Sequence, residues 1–445
     1  MMRCQYRAGV AFALMACGAV AVGGAGGVTK DGAEAAKAVK VKVFRHKSVS
    51  LTNAEADAAL ASMGNVLQTK DTSKDVTTPV TFVRDGSVQL LPANVAAVIQ
   101  TQAQLNALFN APSGVKIVRA INFCGGPGGS IIGCAPVGSP VVNIGAVRFT
   151  PALEGILWVH EYGHNCGLSH RTDDPNAVMF PSIGSTHRVV SLPESNRYRN
   201  GPAALTAGAA VAAEQPLPDP KDVKEFVRRH YPEGVPFEIA VKLRDQDKYK
   251  GAVETLLKML DDPAEKEHLP EIVTTLCFIA DEKAVEPLIK FVKSERSGAD
   301  EFRAKNAVLI HLGDLIHKSK NKVALEYLQE MASKPSMVKK VAAPRAAAVM
   351  AANPKAVGDA AVIPPTEEEL TAELSVSAAQ GLALAGLQES EAALSALKES
   401  ATALASVKEI ADDAKKTSEK VRTFGQLKYY ADRKKHEHNH EEKKP

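Results

Sequence analysis

Eleven consecutive residues, His160 to His170, constrain this chain more than any other stretch. They place His160, Glu161, His164, Gly167 and His170 in the order His-Glu-x-x-His-x-x-Gly-x-x-His. On a helix, His160 and His164 are one turn apart and project from the same face, so both imidazoles can reach one cation. Leu153, Ile156 and Leu157 continue the inner face upstream and fix that helix against a core. Gly167 lets the chain leave the helix in a conformation that a side chain disfavours, and His170 can then supply a third nitrogen. Three neutral imidazoles with an open fourth position describe a catalytic zinc site, whereas a structural site is closed by four protein ligands. Glu161, beside the first ligand, is placed to take a proton from water at the metal rather than to bind the metal. Histidine is 12 of 445 residues. At that frequency the five-position match arises by chance on the order of once in thirty thousand chains, far more rarely than a bare HExxH. Satisfied core histidines on a buried helix are therefore the weaker explanation.

Around this window the chain has the means to fold. Hydrophobic residues make up 45% and charged residues 24%, which excludes a wholly disordered protein and a polytopic membrane protein. A net charge of +3 is too near balance to make nucleic acid the main partner. Aromatics are scarce and alanine abundant, which favours helices packed through small side chains. Arg3 and Arg7 precede an apolar run from Ala8 to Val22 and a Gly/Ala-rich exit, so residues 1–28 read as a secretory signal peptide. The run is short for a bilayer and diluted by Gly9 and Gly18, which argues against a retained anchor. Leu14-Met15-Ala16-Cys17 resembles a lipobox with an unusual Met15, so simple cleavage and lipidation at Cys17 both stand, simple cleavage being favoured. A lipid at Cys17 is the one route by which a membrane becomes a partner. In an oxidising compartment Cys124 and Cys134 are the natural disulfide pair, flanking Gly125-Gly126-Pro127-Gly128-Gly129. Cys166 and Cys277 read as small buried apolar residues.

Four stretches follow. Residues 39–199 mix strands and helices and predict an α+β domain. Strands are expected near Val39–Val43, Val80–Val83, Lys116–Phe123 and Pro140–Val147, and helices after Thr52, over Val95–Phe109 and over Pro151–Cys166. Residues 200–220 are rich in Ala, Gly and Pro and read as a linker. Residues 221–353 are helical throughout, with Val253, Leu256, Leu257 and Leu260 at amphipathic spacing. The segment Asp281–Lys293 resembles a HEAT-type repeat, and the recurrence of helix pairs suits an α-solenoid, with a non-repetitive helical bundle as the alternative. After a second break at Pro364-Pro365, residues 366–430 read as one long helix or a helical pair, with Leu382, Leu384, Leu387, Leu394 and Leu397 as a weak stripe. The tail 431–445 is charged; His436, His438 and His440 can chelate metal loosely, but a solvated, disordered tail is favoured.

The motif and its surroundings resemble the metzincin zinc endopeptidases, within them the matrixin-like branch. That family carries a methionine-containing turn beneath the metal, and Pro175-Asn176-Ala177-Val178-Met179-Phe180-Pro181 looks like it. The resemblance implies one catalytic Zn2+ held by His160, His164 and His170, Glu161 as general base, and Met179 as an apolar floor that does not bind the ion. It covers roughly Val39 to Tyr198 and is most specific from the helix to the methionine. The loop from His170 to Met179 is one residue longer than the matrixin spacing, with Asp173-Asp174 where one acidic residue is usual. No tyrosine follows at Phe180-Pro181 to act as a fifth ligand, and no cysteine-switch propeptide precedes the domain. The Ca2+ and structural-zinc sites of some relatives cannot be placed here.

The chemistry expected is hydrolysis of protein or peptide substrates by an exported enzyme, secreted or held in the periplasm or cell envelope. Substrate would lie extended along an edge strand, for which Pro140–Val147 is the candidate, with Phe180–Val190 shaping the side-chain pocket. The helical repeats would dock substrate, envelope or a protein partner. The competing expectation is a catalytically inert metzincin-like domain within a HEAT-repeat binding or scaffold protein; retention of Glu161 and all three histidines favours the enzyme.

Overall fold

The computed structural model describes residues 36–70, 75–202, 219–352 and 362–438. The expected signal peptide with Cys17, most of the expected linker and the end of the charged tail lie outside the described residues, as do the side chains of the tail histidines.

Among the described residues, the first half holds nine short strands and four helices. In chain order they are β1 (Lys37–Val41), β2 (Val43–Arg45), α1 (Asn53–Gln68), β3 (Val80–Arg84), β4 (Gln89–Leu90), β5 (Val98–Ile99) and α2 (Gln102–Asn110). Then come β6 (Gly114–Val118), β7 (Ala120–Ile121), β8 (Gly133–Cys134), β9 (Asn143–Val147), α3 (Pro151–Asn165) and α4 (Leu192–Asn200). The main sheet runs in the order β4-β2-β6-β9-β8, parallel except for the antiparallel β8. Separate parallel pairs join β1 to β3 and β5 to β7. The expected α1 forms with a capping box between Thr52 and Glu55, and buries Ala56, Leu60, Met63 and Leu67.

Three expectations change. The single strand around Val39–Val43 divides at Lys42, because β1 joins β3 while β2 enters the main sheet. The helix expected over Val95–Phe109 starts only at Gln102, capped by the Thr101 hydroxyl, since Val98 and Ile99 pair with β7 instead. The expected edge strand Pro140–Val147 is interior: β9 lies between β6 and β8, and Ile144, Ala146 and Val147 are buried. Near-continuous burial is the mark of an inner parallel strand, and the edge belongs to β8, out of the glycine-rich loop.

The second half is all helix: α5 (Val223–Val227), α6 (Phe237–Asp245), α7 (Ala252–Asp261), α8 (Leu269–Ile279), α9 (Val285–Lys293) and α10 (Ala299–Ser319). It continues with α11 (Lys322–Ser333), α12 (Pro335–Ala352), α13 (Glu367–Ala385), α14 (Gln388–Glu399), α15 (Ala405–Phe424) and α16 (Gln426–His438). The inner helices α8, α10, α13 and α15 pack each against the next in chain order, and the amphipathic α7, α9, α11 and α14 cover them. Contact between α10 and α13 is close: a Cβ on Gly313 would sit 1.9 Å from Gly381 O. Residues 366–430 are thus neither one helix nor a separate pair. Gly386, with φ 56°, ends α13, which is buried within the same hydrophobic core as α10. The helical structure also runs past residue 430 through His438, and Arg433 is buried rather than solvated.

Over the described residues, the two halves pack as one compact unit. Arg119 pairs with Glu373 at 2.6 Å, and the Arg433 guanidinium donates to Pro127 O at 2.6 Å. The Gly129 amide donates to His311 Nε2 at 3.1 Å. Among the described residues, no helix is long and apolar enough to cross a membrane.

Candidate metal centre

Helix α3 carries His160, Glu161 and His164 on a fully buried face. Asn165 anchors its end, accepting from the Asn143 amide at 2.7 Å and so tying the helix to β9. Gly167, with φ 78°, turns the chain out of the helix. His170 then comes back against the first two rings, with centroids 5.3 Å from His160 and 4.9 Å from His164. The three histidines offer ring nitrogens that all lie within 4.8 Å of one another.

The outer nitrogens fix which atoms face inward. His160 Nδ1 lies 2.9 Å from Val178 O, and His164 Nδ1 lies 2.8 Å from Leu168 O. Each carbonyl can only accept, so each Nδ1 carries the proton and each Nε2 presents a lone pair. Those two Nε2 atoms are 3.2 Å apart. Lone pairs at that distance need a cation or a proton between them, and protonation is opposed: burial first, then the other two imidazoles, pushes His160 well below the ordinary histidine range. The three histidines could therefore hold a metal ion.

Both carboxylate oxygens of Glu161 are buried without a hydrogen-bond partner among the described residues. Burial, and secondarily the charge of Glu233, pushes its pKa well above the usual carboxylate range. A buried carboxylate left unsatisfied is costly, and a neighbouring dication with its water would relieve it. Beneath the rings, Met179 is fully buried, and Tyr198 donates to its Sδ at 3.1 Å. A Cβ on Gly163 would sit 2.3 Å from that Sδ, so the methionine packs directly under the ligand-bearing helix. Cys124 and Cys134 are disulfide-bonded, while Cys166 and Cys277 are free and buried.

One residue at the centre escaped the sequence reading. Glu233, in the turn between α5 and α6, brings Oε1 to 3.5 Å from His164 Nε2 and Oε2 to 3.8 Å from His170 Nε2. Its segment lies along the sheet edge: Pro232 O accepts from the Ile132 amide at 2.9 Å and the Gly133 amide at 3.1 Å. On the other side, the Ile183 amide donates to His230 O at 2.7 Å. The carboxylate thus faces the corner left vacant by the three histidines, and its backbone holds the edge-strand amides.

No protein-family model matches the chain, and no curated protein matches its sequence.

Proposed function

We propose that the chain is an exported zinc-dependent endopeptidase of the metzincin type, with His160, His164 and His170 as ligands and Glu161 as general base. The observation that carries this is the convergence of three imidazoles beside a buried carboxylate that has no hydrogen-bond partner among the described residues. A zinc ion at that position would polarise a peptide carbonyl and lower the pKa of water towards about 7. Glu161, whose proton affinity is raised by burial, takes the proton of the attacking water and returns it to the departing amine. Met179 keeps the floor apolar, and the Val178 and Leu168 carbonyls hold two ligand rings in their orientation. Substrate would bind along β8, where the Ile132 and Gly133 amides already donate to a peptide segment of this chain. The disulfide supports export, since such bonds persist in oxidising compartments. The ordered stack of inner helices supports a HEAT-like docking arm.

The Glu233 contact favours a second reading. Three histidines and a carboxylate from one chain make a closed, four-ligand site, the pattern of a structural ion in a binding or scaffold protein. Within the peptidase reading the same contact is a latent state, in which the His230–Gly234 segment occupies the cleft.

The test uses the full chain, because the halves share buried contacts. Metal content and cleavage of a mixed peptide library are measured with and without chelator, for the unaltered chain and for Glu161→Ala, and for both again in a Glu233→Ala background. Glu161→Ala should keep its zinc and lose about 10²–10⁴-fold in hydrolysis. Equal, chelator-insensitive cleavage by both would remove the peptidase assignment.

A further inference from the structure

We propose that His230, His268 and Glu271 form a second metal site, distinct from the centre on α3 and suited to a transition-metal dication such as zinc. Their ligand atoms all lie within 4.8 Å of one another. All three side chains are buried, with exposures of 5%, 9% and 1% respectively. His230 Nδ1, His268 Nδ1 and Glu271 Oε2 each lack a hydrogen-bond partner among the described residues. His230 Nδ1 lies 3.5 Å from Glu271 Oε1, too long for a good hydrogen bond.

Buried polar groups in native proteins are almost always satisfied. Three neighbouring residues whose ligand atoms cluster and which each keep an unsatisfied polar atom are better explained by a shared cation than by three independent exceptions. The rings of His230 and His268 lie nearly parallel with centroids 4.6 Å apart, and the ring of Phe149 packs nearly perpendicular to His230 at 4.7 Å. This packing fixes the imidazoles side by side. On its far side, His268 Nε2 faces Glu267 Oε1 at 3.6 Å, the outer-shell carboxylate pattern that leaves Nδ1 free to ligate. Two imidazoles and one carboxylate suit zinc and its neighbours rather than magnesium or calcium, which prefer an all-oxygen shell.

The site also has a structural consequence. His230 immediately precedes the Tyr231–Gly234 turn, while His268 and Glu271 stand at the start of α8. A shared ion would therefore fasten the segment bearing Glu233 to the helical stack. The inference does not rest on the peptidase assignment, since it concerns other ligands and is read by metal content.

The full-length protein is loaded with zinc, dialysed exhaustively and analysed for metal by mass spectrometry, with circular dichroism to verify folding. Two ions per chain are expected. The double variant His160→Ala/His164→Ala should keep one, as should His268→Ala and the near-isosteric Glu271→Gln; combining Glu271→Gln with the double variant should leave none. With Co2+ in place of zinc, the double variant should retain a visible d–d absorption that Glu271→Gln abolishes. A double variant that stays folded yet takes up no zinc and shows no cobalt band overturns the proposal. So does a folded Glu271→Gln chain with unchanged stoichiometry. Failure at the α3 centre alone reads differently: one ion, unaffected by His160→Ala/His164→Ala and lost in Glu271→Gln.

Discussion

Gly133 lies against the carboxylate of Glu161: a Cβ built on the glycine would sit 2.2 Å from Glu161 Oε1 and 2.9 Å from Leu157 Cδ1. The edge strand and the ligand-bearing helix therefore meet at the proposed general base. Gly133→Ala should force the carboxylate aside, because a side-chain end yields more readily than sheet backbone. Zinc content should not change, and stability should fall by only about 1 kcal/mol. Hydrolysis, measured in the Glu233→Ala background, should drop by about 10²-fold, the usual consequence of a 1 Å misplacement of a reacting group. An alanine variant with unaltered kcat would show that the carboxylate position is not critical.

Glu233 gives the second prediction. Its oxygens stand 3.5 Å from His164 Nε2 and 3.8 Å from His170 Nε2. If the contact holds a peptidase latent, Glu233→Ala opens the fourth corner and should raise peptide hydrolysis at least about tenfold by enlarging the competent population. Zinc affinity should fall only modestly, because three ligands remain. A closed structural site behaves oppositely, losing zinc strongly and gaining no activity. Peptide cleavage and zinc titration of the same variant separate the two.

The clustering of the three histidines was legible in the sequence because every part of it is local. His160 and His164 share a helix face, Gly167 permits the turn, and His170 and Met179 follow within one loop. The capping box of α1 and the amphipathic stripes of α7 and α9 were legible for the same reason. What escaped depends on distant packing. A two-residue strand such as β8 carries no alternation, so nothing marked Gly133 and Cys134 as the edge in place of Asn143–Val147. Helix α13 is buried nearly all round, so its apolar residues leave no clear stripe. Glu233 sits in a Pro-Glu-Gly turn that looks like ordinary surface, and only the docking of the helical half brings it to the histidines.

The methionine floor can be tested through Gly163. A Cβ there would meet Met179 Sδ at 2.3 Å and Tyr198 Oη at 2.7 Å. Gly163→Ala should destabilise the protein by about 1–3 kcal/mol through overpacking and loosen zinc binding by displacing α3. Met179→Leu, which nearly conserves volume, should lose less than about 1.5 kcal/mol. Urea midpoints of both variants, read beside zinc content, check the pair. A Gly163→Ala chain as stable as the parent would mean that the helix and the methionine are not in direct contact.

Lys116 carries a pH-dependent penalty that should be measurable. It is fully buried in the middle of β6, donates to Asn143 Oδ1, and is pushed down to about 8 by burial. Unfolded, a lysine titrates near 10.4. The folded state thus disfavours the charged form: below pH 8 the full penalty applies, and it fades as pH rises from 8 towards 10.4. The gap corresponds to about 3 kcal/mol. Lys116→Met removes that penalty along with a hydrogen bond that contributes about 1 kcal/mol. The methionine variant should therefore be more stable than the parent by about 2 kcal/mol at pH 7, and should lose that advantage by about pH 10. Urea unfolding of both proteins at the two pH values isolates the lysine, because titrations common to the pair cancel in the difference. A stability difference that stays constant between pH 7 and pH 10 would show that Lys116 does not titrate in this range.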